Sequence, residues 1–253
     1  MKFASLGSGS RGNGTLLCVD DLCILVDCGF TVRQLQTRLG AAGLALDDLD
    51  AVLVTHEHSD HSGGIGPLVR RTGVSVHATL GTWRGMKLAP RSADHVVTAD
   101  RPFRIGAVEI APITVPHDAR EPVQYRFRHR DRSVGVLTDL GHPSAHVVEQ
   151  YRGCDGLLLE FNHEPDLLWN GRYPEPLKQR VGGHFGHLAN GQSAQLLGAL
   201  APERLQVLMA GHLSEQNNTR AHAEAALAEV MDGLDAHRHV AVQDAFSGWF
   251  EVV

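Results

Sequence analysis

The chain has 253 residues, a net charge of −6, 43% hydrophobic and 21% charged residues, which excludes collagen-like, coiled-coil and disordered classes and is enough to bury a large core. The acidic balance argues against nucleic-acid binding by the whole surface, though not against a local basic groove. No run approaches the ~18 apolar residues of a membrane span, and Met1 to Gly7 reads straight into a strand without an apolar leader, so a cytoplasmic chain is expected.

Residues 2–7, 14–19 and 22–27 read as strands, the last two joined by a tight turn at Asp20-Asp21. A helix is expected over 31–40, with Thr31 as N-cap and Gly40 as stop. Asp50 to Val54 is a short buried strand, and a helix follows at 67–72 after Gly63, Gly64 and Gly66-Pro67. Strands are expected at 74–77, 94–97 and 107–115, then a hairpin of 123–129 and 132–138 around Arg130-Asp131. A helix at 144–152 and a strand at 155–160 lead into 164–187, rich in Gly, Pro and aromatics, which reads as a long loop or lid with a short helix at 175–181. The end of the chain reads as a helix at 190–200, a strand at 204–210, an Ala-rich helix at 218–232 and closing strands at 239–241 and 248–252. Early strands followed by alternating strands and helices predict an α/β (α+β) chain, sheets covered by helices in one domain spanning 1–253.

Sixteen histidines against four cysteines raise the question of metal. Three imidazoles and a carboxylate crowd into His56-x-His58-x-Asp60-His61, directly after the strand that ends at Val54. Loops after strand ends present ligands to clefts, and imidazole with carboxylate suits zinc, manganese or iron. The alternative, a solvated loop that is merely His-rich, fits neither the density nor the placement. His117, Asp139 and His212 each fall just past another expected strand end. Singly they read as capped or surface residues; together they read as further ligands. Cys18, Cys23, Cys28 and Cys154 make no disulfide framework, and Cys18 and Cys23, opposite each other across the Asp20-Asp21 turn, are expected as packed thiols. Cys28 follows Asp27 and reads as near the metals without being needed as a ligand.

The motif resembles the signature of the metallo-β-lactamase superfamily, and the chain resembles its YycJ/WalJ/VicX-like branch almost end to end. The matching stretches include Ser8 to Asn13, Leu25 to Gly29, Val54 to Gly64, Pro116 to Ala119, Leu137 to Gly141, Leu159 to His163, Arg172-Tyr173-Pro174, Gly186 to Asn190 and His212 to Thr219. Ala189, where the branch usually carries Ser, and Cys28 depart from it. The resemblance implies a four-layer αββα sandwich of two mixed sheets with a two-metal site at one edge. Metal one would take His56, His58 and His117; metal two would take Asp60, His61 and His212; Asp139 would bridge them. The second site, richer in carboxylate, should accept a harder ion. A bridging Asp points toward phosphodiesterases, nucleases and glyoxalase-type thioesterases rather than β-lactamases.

Two divalent ions ~3.5–4 Å apart can hold a bridging hydroxide that attacks phosphorus in line. Besides Asp60, the catalytic candidates are His187 and His163 as acids protonating the leaving oxygen, with His184 a weaker one; for His163 a purely structural role stays open. Asp27 is expected behind the ligands, holding the His56–Asp60 loop. The loop Ser8 to Gly14, with Ser10 and Asn13, reads either as an anion cradle or as a turn. Asn217 and Asn218 read as caps or phosphate contacts, with Thr219 as a cap. Cations near the expected site are Arg11, Arg172, Lys178 and Arg180. Arg126, Arg128 and Arg130 share a strand face that reads as a solvated edge or a phosphate-binding stripe. The branch implies a nuclease or exonuclease of DNA or RNA. The rivals are a hydrolase of a small cyclic phosphodiester, thioester or lactone, favoured by a compact site without a basic channel, and a metal-stabilised regulatory protein. No organic cofactor and no membrane partner are expected.

Overall fold

The apolar runs that open the chain fold as β1 (Lys2–Gly7), β2 (Gly14–Val19) and β3 (Leu22–Val26), followed by α1 (Val32–Ala41) and β4 (Ala51–Leu53). The computed structural model describes residues 1–231 and 233–253, apart from the side chain of Glu229. Next come α2 (Ser59–Ser62), α3 (Ile65–Thr72), β5 (Ser75–Thr79), α4 (Leu80–Gly85), β6 (His95–Val97), β7 (Phe103–Ile105) and β8 (Val108–Thr114). The hairpin β9 (Val123–His129) and β10 (Arg132–Leu137) leads to α5 (Ala145–Tyr151), β11 (Gly156–Glu160), α6 (Pro165–Asn170) and α7 (Glu175–Val181). The chain closes with α8 (Asn190–Ala199), β12 (Val207–Gly211), α9 (Arg220–Val230), β13 (His237–Val240) and β14 (Phe250–Glu251).

Among the described residues the strands form two seven-stranded mixed sheets, ordered β14-β1-β2-β3-β4-β5-β6 and β13-β12-β11-β10-β9-β8-β7. The period of two decides how they stack. Leu17, Val19, Ile24 and Val26 point to the other sheet and meet Tyr125, Phe127, Leu158 and Met209. Their neighbours Leu16, Cys18, Cys23 and Leu25 point the other way, to Leu35, Leu39 and Leu68 of α1 and α3. On the second sheet Leu157, Leu159, Leu208 and Ala210 pack under Val147, Leu196, Leu197 and Leu227 of α5, α8 and α9. Strands buried on both faces read as unbroken apolar runs, and the result is an αββα sandwich.

Local chemistry sets several boundaries. Thr31 caps α1 through a reciprocal pair with Gln34, the Thr31 N–H donating to Gln34 Oε1 at 2.9 Å. That helix runs through Gly40 to Ala41. Pro67 sits inside the first turn of α3, where its missing N–H is harmless, so the helix begins at Ile65. The short elements α2, α4, α6 and β7 lack enough periodicity to be read beforehand. Residues 164–187, expected as a loop around one helix, carry both α6 and α7. β12 starts at Val207 rather than 204 because Pro202–Arg204 form a 3-10 turn. α9 starts at Arg220, capped by Thr219, and its expected end at Asp232 lies outside the described residues. Cys18 and Cys23, expected as separate thiols, are direct cross-strand partners, and that register brings their sulfurs together as a disulfide. β9, expected at a sheet edge, lies between β8 and β10. No helix among the described residues is long and apolar enough to cross a membrane.

The two sheets are stitched at the end of β4. The buried Tyr125 hydroxyl donates to Val54 O at 3.0 Å, and Val123 N donates to Thr55 O at 3.1 Å. Tyr125→Phe leaves that buried carbonyl short of its donor. It should lower stability by about 1–2 kcal/mol, read as a midpoint shift without a change of slope in urea unfolding.

Candidate metal centre

In both sheets the strands β3-β4-β5-β6 and β10-β11-β12-β13 run parallel, so their carboxyl ends gather on one side. Ligands in open α/β sheets sit beyond such ends. His56, His58, Asp60 and His61 follow β4; His117 follows β8; Asp139 follows β10; His212 follows β12. Three of the residues at strand ends, Asp27, Asp139 and His212, hold left-handed backbone angles (φ 62°, 53° and 56°). Such strain costs about 1–3 kcal/mol per residue and persists where the surroundings enforce it.

The side chains form an overlapping cluster. The rings of His56 and His61 lie 4.3 Å apart, those of His56 and His117 4.8 Å, and those of His61 and His212 5.3 Å. Four sets bring one ligand-type atom from each member within 4.8 Å: His56, His58 and His117; Asp60, His61 and His212; His56, His61 and Asp139; and Asp139, Glu160, His187 and His212. Asp139 stands between the first two, with Oδ2 3.2 Å from His61 Nε2 and Oδ1 3.8 Å from His117 Nε2. Burial, reinforced by His61, holds His56 well below the ordinary imidazole range. Burial opposes ionisation of Asp139, but the charges of His212 and His61 outweigh it and hold this carboxyl well below its usual range.

The cluster is braced from behind. Asp27 accepts from His61 Nδ1 at 2.8 Å and from Thr55 N and Oγ1, each at 2.8 Å. Thr55 Oγ1 also lies 3.0 Å from His56 Nδ1, and Gly186 O accepts from His117 Nδ1 at 3.1 Å. With Nδ1 engaged outward, Nε2 of His56, His61 and His117 is the nitrogen left for the centre. Glu160, which the sequence reading missed, braces the other half. It is fully buried at the end of β11 and accepts from His212 Nδ1 (2.8 Å), His187 Nδ1 (2.9 Å), Asp139 N (3.1 Å) and Leu188 N (3.0 Å). Burial works against its ionisation, yet His187 and His212 hold it down at about 2. Its signal in the sequence is a single carboxylate closing the apolar run Gly156-Leu157-Leu158-Leu159.

Three atoms of the cluster, His56 Nε2, His212 Nε2 and Asp139 Oδ2, are buried without a hydrogen-bond partner. An unpaired buried polar atom costs about 1–3 kcal/mol. Nitrogen and carboxylate donors converging in this way fit divalent transition ions.

The loop from Ser8 to Gly14 braces the site, with the amides of Ser8, Gly9, Arg11, Gly12 and Asn13 engaged within the chain. Gly9 N donates to Asn13 Oδ1 at 2.9 Å and Arg11 N to Gln243 Oε1 at 2.7 Å. Asn13 Nδ2 lies 3.3 Å from Asp60 Oδ2 and 3.2 Å from His61 Nε2. Gly29 is obligatory beside it: a Cβ there would stand 1.9 Å from Asp60 O.

In front of the cluster lies a cavity of about 410 Å³, lined by His58, Asp60, Asp139, His187 and His212 on one side and by α7 on the other, with Ser10 at its rim. Arg180 is the sole Lys or Arg lining it among the described residues, and it pairs with Asp118, the neighbour of His117. Other candidates lie elsewhere. His163 is buried outside the lining, and burial lowers it to about 4. His184 is exposed and packs on His142. Lys178 Nζ donates to Trp169 O at 2.7 Å, and Arg172 lines a separate surface depression. Asn217 is buried against Ser214, and Asn218 bonds Phe161 O and Asn190, so neither reaches the cavity. Arg11 pairs with Glu215 and Asp244, Arg128 with Glu109, and Arg126 donates to Gln150 O. Cys28 is buried against Gly64, away from the grouped ligand atoms, and burial pushes its thiol up to about 12.

The chain is similar to known proteins of one superfamily. A family model described as a Beta-lactamase superfamily domain matches residues 23–209. The chain is 35% identical over 225 residues to the exodeoxyribonuclease WalJ of Streptococcus pneumoniae, covering 87% of this chain and 84% of the relative. It is 30% identical over 236 residues to the exodeoxyribonuclease YycJ of Bacillus anthracis, covering 92% and 89%. Its fold superposes on the metallo-beta-lactamase fold protein YhfI from Bacillus subtilis with a TM-score of 0.76 at 18% identity, covering 99% of each chain. The chain thus belongs to the metallo-β-lactamase-fold superfamily and, within it, to the branch that holds WalJ and YycJ.

Proposed function

We propose that this chain is a dinuclear metal-dependent hydrolase that cleaves phosphodiester bonds of DNA from strand ends. The observation that carries it is the convergence of seven ligand-type side chains from four strand ends, three of whose buried atoms make no hydrogen bond. His56, His58 and His117 would hold one ion, and Asp60, His61 and His212 the other, with Asp139 shared. Zinc, manganese and iron all suit such donors, and the carboxylate-richer second set suits the harder of them. Bound there, two divalent ions would polarise the phosphoryl oxygens and lower the pKa of water toward neutrality.

The chain's own groups supply the rest. Arg180 offers the cavity's one guanidinium to a phosphate. His187 keeps Nδ1 on Glu160, so Nε2 is the atom free to protonate the leaving oxygen. Asp27, Thr55 and Glu160 fix ring orientation and tautomer. The relatives named exodeoxyribonucleases support DNA as the substrate. A second reading, a small cyclic phosphodiester, is favoured by a compact cavity whose single cation already pairs with Asp118.

Protein purified without chelator should contain about two transition-metal ions per chain by elemental analysis. His58→Ala and Asp60→Ala should each lose about one. Each should slow cleavage of end-labelled DNA roughly a hundredfold or more, since an ion's polarisation is worth several kcal/mol. Full metal content and full rate in Asp60→Ala would contradict the ligand assignment. Intact DNA beside rapid turnover of a cyclic nucleotide would favour the second reading. Glu160→Gln keeps the shape but removes the charge shared by His187 and His212. Its metal affinity, measured by competition with a chromophoric chelator, should fall about 10–100-fold.

A further inference from the structure

The cavity has two walls of different chemistry. The metal side is polar. The lid side carries Arg180, Tyr173, which precedes α7, and Leu177 and Val181, which lie four residues apart and so on one face of that helix. Hydrolysis of a phosphodiester needs no aromatic or aliphatic surface, so this wall meets some other part of the substrate. It is also held in register with the metal side. His187 N donates to Val181 O at 2.8 Å, Arg180 pairs with Asp118, and the Trp169 ring packs against Gly182 at the end of α7.

We propose that Tyr173, Leu177 and Val181 seat the nucleobase of the terminal nucleotide while its phosphate faces the metal side; this rests on the nuclease reading. Aromatic rings bind the flat face of any base. The Arg180 guanidinium on the same helix is engaged by Asp118, so this wall grips a base chiefly by its face. Within a duplex both faces of each base are covered by their neighbours. A base can meet Tyr173 only at a strand end or in a single strand. A cavity of about 410 Å³ is in the range of small-molecule sites and suits one nucleotide rather than a double helix.

The test compares deoxyadenosine 3′- and 5′-monophosphate with methyl phosphate, titrated calorimetrically into metal-loaded protein. The wild type should prefer at least one nucleotide over methyl phosphate. Tyr173→Ala should weaken that nucleotide roughly 5- to 150-fold, the range that base stacking supplies, and shrink the preference. Tyr173→Phe should retain it. In parallel, Tyr173→Ala should raise KM for single-stranded DNA more than it lowers kcat. No nucleotide preference in the wild type, or equal weakening of nucleotide and methyl phosphate in Tyr173→Ala, overturns the wall. A wild type that shows the preference yet leaves end-labelled DNA whole overturns the nuclease reading and leaves the base-seating wall standing.

Discussion

Polar atoms buried without partners are the constraint around which this structure is arranged. His56 Nε2, His212 Nε2 and Asp139 Oδ2 are buried within one cluster and make no hydrogen bond there. The surrounding shell leaves them little freedom. Asp27 and Thr55 fix the rings behind β4, and Glu160 fixes His212 and His187. Asn13 presses on Asp60 and His61 from the glycine-rich loop. Left-handed backbone at Asp27, Asp139 and His212 adds strain at the same place. A core of this size can hold such a cluster without metal, because three separate apolar layers stabilise the sheets and helices around it. Divalent ions would relieve the unpaired donors and offset the carboxylates together.

Much of this was legible in the residues. The density of His56-x-His58-x-Asp60-His61 after a buried strand marked the site, and His117, Asp139 and His212 stood at the other strand ends. The strand runs were equally plain, since β2 and β3 alternate between two apolar surfaces. Glu160 was hidden because its role depends on β11 lying between β10 and β12, a long-range pairing that no local pattern encodes. The short helices α2, α4 and α6 lack a full amphipathic period. Cations were the least legible feature. Arg11 and Lys178 read as cations near the site, and Arg126 and Arg128 as a solvated edge or a phosphate-binding stripe, yet partners distant in sequence or brought near by helix turns engage each of them.

That engagement bears on how an acidic chain handles a polyanion. With Arg180 as the one guanidinium lining the cavity among the described residues, attraction for phosphate on the proposed reading would come chiefly from bound ions. Grip on the rest of the substrate then falls to contacts that do not depend on charge. The region 164–187, read from sequence as a loop or lid with one short helix, folds into two helices, and Tyr173, Leu177 and Val181 line the cavity beside the imidazole–carboxylate cluster.

The central claim is that the imidazole–carboxylate cluster is a two-ion site. Crystals grown with manganese and measured above and below its absorption edge test it most directly. Two anomalous peaks are predicted, one against His56, His58 and His117 and one against Asp60, His61 and His212, with Asp139 between them. A single peak, or a peak centred on Glu160 and His187 instead, would contradict the account.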